Sequence, residues 1–349
     1  MNQKILIILI VVIILGVGGF LVYKNIPIPL EREKSIIGLE DITQITSFKG
    51  RGGCGACDSD WSPDGTKIVF GRHTGDEQGL YIINSDGTGL FKIGSPGPDD
   101  IYDPSWSPID NRILCTGWIE GEENGLFIID LDEDKTKKIS LGVEHAMFPA
   151  WSPDGEKIVF MVYDDSNAPL PLYDPQCDGT GIKSSIWIMN SDGTGKTRLT
   201  TDEDGYCSDP SFSPDGSKIV YNKGFINPGV PYLAKEPPNE IWVMNSDGSD
   251  KHIIYAPGDG KFFLHQRAWS KNNEIIFERI LWQRSPQIWV MNADGTNPRC
   301  MLRPKEGFGE FIYGDIAWDT TGTKIVTTQW KSVPDIIVDR NVITFLWEK

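Results

Sequence analysis

Basic residues and histidines are scarce in this sequence. It contains 33 Lys and Arg against 49 Asp and Glu, and only 4 His, so its formal net charge is −16. A phosphate backbone would be repelled by this charge, and no Lys/Arg cluster provides a local exception. We therefore expect no nucleic acid among the partners.

Long hydrophobic runs are also lacking, with one exception at the N-terminus. Residues 5–22 form 18 consecutive positions without a charge, about the minimum for a helix that crosses a bilayer. A cleaved signal peptide would have a shorter apolar region followed by a small-x-small site, which is missing. The sequence predicts an uncleaved transmembrane anchor over residues 1–24 and a tether over residues 25–40. The flanking charges do not decide the orientation, but such early anchors commonly direct export, so we expect the remainder on the extracytoplasmic side, in the periplasm or at the cell surface.

The six cysteines form an even number, which permits disulfides in an exported protein without requiring them. Cys115 and Cys300 fall in apparent strands, where a lone Cys is typically a buried free thiol. The other four fall in apparent loops: Cys54, Cys57, Cys177 and Cys207. A zinc site would need a second pair with the spacing of the first two. Disulfides are the preferred interpretation, with a pairing of Cys177 with Cys207.

One short motif occurs six times. Its copies begin at an aromatic residue and are spaced about 45 to 61 residues apart, close to the period of a propeller blade. They are Trp61-Ser-Pro-Asp-Gly, Trp106-Ser-Pro-Ile-Asp, Trp151-Ser-Pro-Asp-Gly, Phe212-Ser-Pro-Asp-Gly, Trp269-Ser-Lys-Asn-Asn and Trp318-Asp-Thr-Thr-Gly. We number the corresponding units repeats 1 to 6.

Each repeat predicts four antiparallel strands. An apolar run such as Ile68-Val-Phe follows the motif, whose Pro and Gly favour a hairpin turn. A second apolar segment and an Asp-Gly turn come next, ahead of a more polar strand. In repeat 6 we expect the last strands at residues 336–338 and 342–347, and residues 41–46 should pair with them to close the ring. The predicted fold is all-β, a six-bladed β-propeller of four-stranded blades over residues 41–349.

These repeats, WSPDG-x-K-I-V-F followed by I-W-V-M-N-x-D-G, resemble the TolB-type β-propeller repeat, also called the WD40-like PD40 repeat. The resemblance covers residues 41–349. It implies the propeller fold, but proteins named TolB carry a separate α/β domain before the propeller and work with a peptidoglycan-associated lipoprotein. That domain is not expected here, so a role in the Tol system is not implied.

The third residue before each motif aromatic defines what we call the ring position. It should open the first strand of each repeat and encircle one end of the central channel. These residues are Asp58, Asp103, Phe148, Asp209, Gln266 and Asp315. The four carboxylates could hold a divalent cation such as calcium, although an Asp beside a turn can also simply cap its own backbone.

Aromatic residues should line the loop face beside this channel mouth. Trp118, Trp282 and Trp330 are not explained by the repeat motifs, and such rings suit a sugar or a peptide, whereas packing between blades is the structural alternative. His145 and His265 lie in apparent connections between repeats, on the same face.

Two functions are compatible with these residues. The first is a membrane-anchored binding or scaffold module whose loop face engages a protein or glycan, without a cofactor. The second is a metal-dependent hydrolase or lyase acting on a carbohydrate, with the Asp ring, His145 and His265. The sequence has no G-x-S-x-G nucleophile elbow, so it does not extend the resemblance to propeller-bearing serine peptidases.

Overall fold

A computed structural model describes residues 42–46, 54–73, 78–93, 100–119, 124–142, 145–163, 183–224, 240–257, 262–281, 287–302, 311–333 and 336–346. Within these residues there are 24 strands and one short 3-10 helix, Asp202–Asp204, which confirms the all-β prediction. The same ranges contain no helix with the length and hydropathy of a membrane span. The predicted anchor and tether lie outside them.

The strands follow the predicted order of four per repeat. In chain order they are β1 (Ile42–Gln44), β2 (Cys54–Trp61), β3 (Lys67–His73), β4 (Gly79–Asn84), β5 (Phe91–Lys92), β6 (Asp100–Trp106), β7 (Arg112–Trp118), β8 (Gly125–Asp130), β9 (Lys135–Lys138), β10 (Ala146–Trp151), β11 (Lys157–Tyr163), β12 (Ser184–Asn190), β13 (Thr197–Arg198), β14 (Tyr206–Phe212), β15 (Lys218–Gly224), β16 (Glu240–Asn245), β17 (His252–Tyr255), β18 (Phe262–Trp269), β19 (Glu274–Leu281), β20 (Gln287–Asn292), β21 (Arg299–Leu302), β22 (Phe311–Trp318), β23 (Lys324–Val333) and β24 (Ile336–Leu346).

Consecutive strands pair as antiparallel sheets. β2–β5, β6–β9 and β18–β21 are separate four-stranded sheets. β10–β13 and β14–β17 repeat the arrangement but are joined into one sheet by a parallel bridge between Ser184 and Tyr206. The buried Ser184 hydroxyl reinforces this junction, because it accepts the Cys207 N–H at 2.9 Å and donates to the Cys207 carbonyl at 2.7 Å.

The motif forms the turn between the first two strands of a repeat. In repeat 1 the Ser62 hydroxyl donates to Asp64 Oδ1 at 2.6 Å and accepts the Lys67 N–H at 2.9 Å. Asp64 Oδ1 also accepts the Thr66 N–H, and Gly65 adopts the left-handed φ of 68° that the turn requires. The Ser and Asp of repeats 3 and 4 make the same bonds. The motif residues are therefore structural.

The core consists of six apolar clusters, each formed by two neighbouring repeats. Ile113 and Cys115 of repeat 2 pack with Val69 of repeat 1, for example, and each later repeat packs with the next in the same way. Val326 of repeat 6 packs with Trp61 of repeat 1. Sheets packed face to face bury both sides of their inner strands, which explains the apolar runs in the sequence.

The predicted closure between the two ends of the repeat region is confirmed. β1 pairs antiparallel with β24, with Ile42 opposite Phe345 and Gln44 opposite Ile343. The prediction of two separate strands after residue 335 is wrong, because the single strand β24 covers this segment. It pairs antiparallel with β23, from Lys324 opposite Leu346 to Val333 opposite Ile336. β1 is thus the fourth strand of this sheet.

The cysteine predictions are partly confirmed. Cys115 and Cys300 are buried and form no disulfide, as expected. Cys207 is a buried free thiol, so its predicted disulfide with Cys177 is wrong; it belongs to β14 rather than to a loop and faces the core between repeats 3 and 4. Burial raises the pKa of this thiol to about 12. Cys54 and Cys57 likewise belong to a strand, β2, and Cys177 lies outside the described residues.

Candidate functional site

The first strands of all six repeats surround one cavity. β2, β6, β10, β14, β18 and β22 contact one another in this order, and β22 contacts β2. The cavity has a volume of about 420 Å³ and is lined by residues from the ring position to the motif turn of repeats 1 to 4 and by residues around the motif aromatic of repeats 5 and 6. This is the size range of small-ligand sites in proteins.

Three of the predicted site residues reach this cavity. Asp58, Asp103 and Asp209 line it, together with Phe148 of repeat 3. The other two ring positions, Gln266 and Asp315, belong to β18 and β22, but their side chains are outside the described part of the structure. The structure therefore brings together at one cavity the four ring positions whose side chains are described.

The ring positions lie in the middle of their strands, and the prediction that they open them is wrong. Each first strand begins several residues earlier and has a bulge at or beside the ring position. There the backbone enters the left-handed region, with φ of 49° at Asp58, 50° at Asp103 and Phe148, and 51° at Asp209. A bulge inserts one extra residue and redirects its side chain, here into the cavity wall.

The ring carboxylates also connect neighbouring repeats. Asp58 Oδ2 accepts the Asp103 N–H at 3.5 Å, and Asp103 Oδ2 accepts the Phe148 N–H at 3.4 Å and the Thr116 hydroxyl at 3.2 Å. Asp209 Oδ2 instead accepts the Ser208 hydroxyl at 2.8 Å and the Asn222 amide at 3.0 Å. Within the described residues, no group of three His, Cys, Asp or Glu side chains is arranged to hold a metal ion.

Sequence reasoning missed a further carboxylate in this wall, Asp60. Its Oδ1 accepts the Trp61 N–H and its Oδ2 accepts the Trp106 N–H of the next repeat, both at 2.8 Å. Removal of the carboxyl from water raises its pKa to about 7, against the opposing effect of these two bonds. The available signal was its position, directly before the motif aromatic, which holds Ser or Ala in the other five repeats.

We expect Asp60 and Asp64 to titrate far apart although they are four residues apart. Hydrogen bonds from Ser62 and Thr66 lower the pKa of the exposed Asp64 to about 2, while burial raises that of Asp60 to about 7. Asp64 then stabilises the fold above pH 4, and this contribution is lost as the pH falls from about 4 to 2. The contribution of Asp60 to stability has the opposite pH dependence, because the folded state holds its proton more tightly than the unfolded state does. Its contribution is therefore lost as the pH rises from about 4 to 7.

Carboxyl ¹³C chemical shifts measured against pH test this pair. Ser62→Ala should raise the Asp64 pKa towards its ordinary value of 3.8 and leave Asp60 unchanged. Equal titration of the two groups near pH 4 would contradict the assignment.

Acidic side chains dominate the cavity wall. Five of its described lining residues are aspartates: Asp58, Asp60, Asp103, Asp209 and Asp319. Lys271 is the one basic residue among the described lining residues. The negative potentials of neighbouring carboxylates add, and a low-dielectric cavity screens them weakly. The wall therefore attracts cations and repels anions.

Of the remaining predicted site residues, only Trp118 and His145 have described side chains, and neither reaches this wall. Trp118 is 39% exposed at the end of β7, and His145 directly precedes β10; neither lines the cavity. His265 belongs to β18, opposite Glu278 in β19, so its placement in a connection is wrong. Trp330 belongs to β23, and Trp282 lies outside the described residues.

Solved structures with the same architecture decide the fold. The putative TolB from Agrobacterium tumefaciens superposes with a TM-score of 0.56 at 15% identity, covering 84% of this chain and 91% of that one. Oligogalacturonate lyase in complex with manganese gives 0.55 at 14% identity, covering 82% and 74%. The chain has a TolB-like β-propeller fold. At these identities the likeness concerns this fold alone.

Curated relatives match the TolB-like propeller over shorter stretches. The Uncharacterized peptidase YuxL of Bacillus subtilis is 24% identical over 235 residues, 60% of this chain and 34% of that protein. A Protein TolB homolog of Chlorobium luteolum is 27% identical over 100 residues, 29% of this chain and 22% of the homolog. The chain therefore spans about a third or less of the length of these two relatives. No family model matches it.

Proposed function

We propose that this chain is a six-bladed propeller that acts as a binding module and takes a positively charged group of a protein partner into its central cavity. The observation that carries the proposal is the acidic cavity wall, which has one lysine and five aspartates among its described residues, and of these aspartates Asp60 has its pKa raised to about 7 by burial. The count of six blades is supported by the six first strands that surround this cavity.

A cation in the cavity would relieve the repulsion between these carboxylates, which a neutral or anionic ligand cannot do. Neutralising cavity aspartates should therefore weaken binding of a cationic probe. With the full chain and a trilysine peptide, we expect Asp58→Asn with Asp209→Asn to raise the dissociation constant at least about tenfold in calorimetry, since each lost charge pair is worth on the order of 1 kcal/mol.

A matched control separates the cavity from the net charge. Asp86 and Asp247 are exposed turn residues outside the cavity, each bonded to a hydroxyl two residues on, and Asn can form the same turn. Asp86→Asn with Asp247→Asn removes the same charge but should change the dissociation constant by less than about twofold. Equal effects of both double variants would refute cavity binding.

A divalent cation such as calcium is a second candidate occupant, and a metal-dependent lyase is the corresponding alternative function. It is favoured by the ring carboxylates in the cavity and by the fold shared with an oligogalacturonate lyase in complex with manganese. Metal analysis of the purified chain tests it, followed by calcium titration of the Asp58/Asp209 double variant. The metal-dependent lyase would be excluded if the purified chain held no bound metal and if replacing both His145 and His265 left any carbohydrate-cleaving activity unchanged.

We also propose that residues 1–24 anchor the propeller to the outer side of a membrane. The uncharged run of residues 5–22 supports this. Release of the full chain from membranes by alkaline carbonate would argue against it.

A further inference from the structure

Repeat 3 departs from the acidic pattern of the ring. Its ring residue is Phe148, which has the same left-handed backbone, φ of 50°, as Asp103 and Asp209 on either side in the ring. Asp enters this region readily because its short side chain bonds locally, whereas a bulky side chain is rarely found there. Phe at this position is therefore less favourable for the backbone than Asp would be. We infer that the aromatic ring contributes an interaction in the cavity wall that offsets this conformational cost.

The neighbouring position on the second strand changes in the same repeat. Thr116 and Asn222 lie beside the ring residues of repeats 2 and 4 and donate hydrogen bonds to their carboxylates. In repeat 3 the corresponding residue is Met161, opposite Met147 in β10. In repeat 3 the cavity-lining residue is thus Phe148 and Met161 is fully buried, whereas the two neighbouring repeats have hydrogen-bonded carboxylates at the ring position.

Phe148 is only half-buried and lines the cavity. Its backbone N–H donates to Asp103 Oδ2 at 3.4 Å, and Asp209 lines the same cavity from the next repeat. An aromatic side chain is therefore placed between two carboxylates at three successive ring positions. Part of Phe148 packs against the core cluster of repeats 3 and 4, and the remainder faces the cavity.

We propose that Phe148, with Asp103 and Asp209 beside it, forms a subsite for the guanidinium group of an arginine side chain. This inference rests on the proposed function and names the cation. A guanidinium is flat and weakly hydrated, so it stacks on an aromatic face while its N–H groups point at carboxylates. An ammonium is compact and strongly hydrated and gains less from the ring, and a sugar brings no positive charge to neutralise the carboxylates.

The test compares three small probes with the full chain: N-acetylarginine amide, N-acetyllysine amide (free ε-amine) and the neutral isostere N-acetylcitrulline amide. We expect arginine to bind most tightly and citrulline not to bind measurably. Phe148→Asn should weaken arginine roughly three- to tenfold and lysine less, because it removes the ring without adding charge. The variant should remain folded, since the tolerance of Asn for the left-handed backbone offsets part of the packing that Phe148 loses.

The matched control is Phe91→Asn, at a residue that is 49% exposed on the outer strand β5 and does not line the cavity. It should leave arginine binding unchanged. If Phe148→Asn fails to fold, Phe148→Leu decides, because it keeps an apolar side chain but removes the ring, and it should weaken arginine binding at least about threefold.

The outcomes separate this inference from the proposed function. Unchanged arginine binding in Phe148→Asn or Phe148→Leu, or equal affinity for arginine and lysine, overturns the guanidinium subsite. If the Asp58/Asp209 double variant still weakens trilysine in that case, cavity binding stands. If no cationic probe responds to any cavity variant, both proposals fail.

Discussion

Gly295→Ala is expected to lower the free energy of unfolding by about 3–5 kcal/mol, among the largest single-residue effects in this fold. Gly295 lies in the turn between β20 and β21 with φ of 81°, and a Cβ there would clash with the Ile254 carbonyl oxygen in β17. That oxygen is backbone and belongs to the neighbouring repeat. The two sheets would have to move apart, so the cost combines overpacking with the left-handed penalty.

Gly65 provides the matched comparison. It has a similar φ of 68° in the motif turn of repeat 1, but no atom lies within 4 Å of a Cβ built there. Gly65→Ala should therefore show the backbone penalty alone, about 1 kcal/mol. Urea unfolding of both variants measures the difference. If they were equally stable, the close packing of the Gly295 turn on β17 would be incorrect.

The strands of the repeats could be predicted because turn chemistry and apolar periodicity agree in each copy. The Ser62 and Asp64 side chains form the turn that the motif indicates, and Ile68 follows in a strand buried on both faces. Prediction failed where this signal ends. After residue 335 no motif turn divides the chain, and a single strand, β24, formed where two were expected.

The sequence indicated which ring residues lie near the cavity, but not their backbone conformation and not the role of Asp60. A fixed offset from the motif aromatic identified Asp58, Asp103 and Asp209, because one backbone bulge recurs at that offset. The bulge itself leaves no sequence signature, so the ring was placed at a strand end rather than mid-strand. Asp60 was missed because its pKa depends on burial between two repeats, a tertiary property.

The aromatic residues illustrate the same limit. Counting unexplained Trp residues favoured Trp118, yet its side chain is outside the cavity wall. Phe148 was noted only as an exception to the acidic ring. Its significance depends on a left-handed φ and on Met161 beside it, and neither can be read from the composition of one segment.

Removing β1 is the second change with a large expected effect. Without residues 1–46, β24 loses its partner over Ile42–Gln44, and the cluster of Trp61, Ile68 and Val326 loses Ile45, which is 7% exposed. Loss of a buried Ile side chain alone costs about 2–5 kcal/mol. We expect the thermal midpoint to fall by on the order of 10 °C relative to a chain lacking only residues 1–40.

Two controls refine the measurement. Ile45→Ala keeps the β1–β24 pairing and should account for roughly half of the loss, whereas Ile253→Ala, at a side chain that is 44% exposed, should cost less than about 0.5 kcal/mol. Size-exclusion chromatography should also show self-association of the truncated chain, because the free edge of β24 can pair with another copy.

The result decides how this ring is held closed. Without the β1–β24 strand pairing, the ring would be closed by side-chain packing between its first and last sheets, which here is the contact of Val326 with Trp61. If the truncated chain melted within about 2 °C of its control and stayed monomeric, that contact would suffice and the β1–β24 strand pairing would be dispensable. The expected fall in the thermal midpoint would instead show that the β1–β24 pairing is the main interaction that closes the ring. The cavity that the six first strands surround would then depend on this pairing.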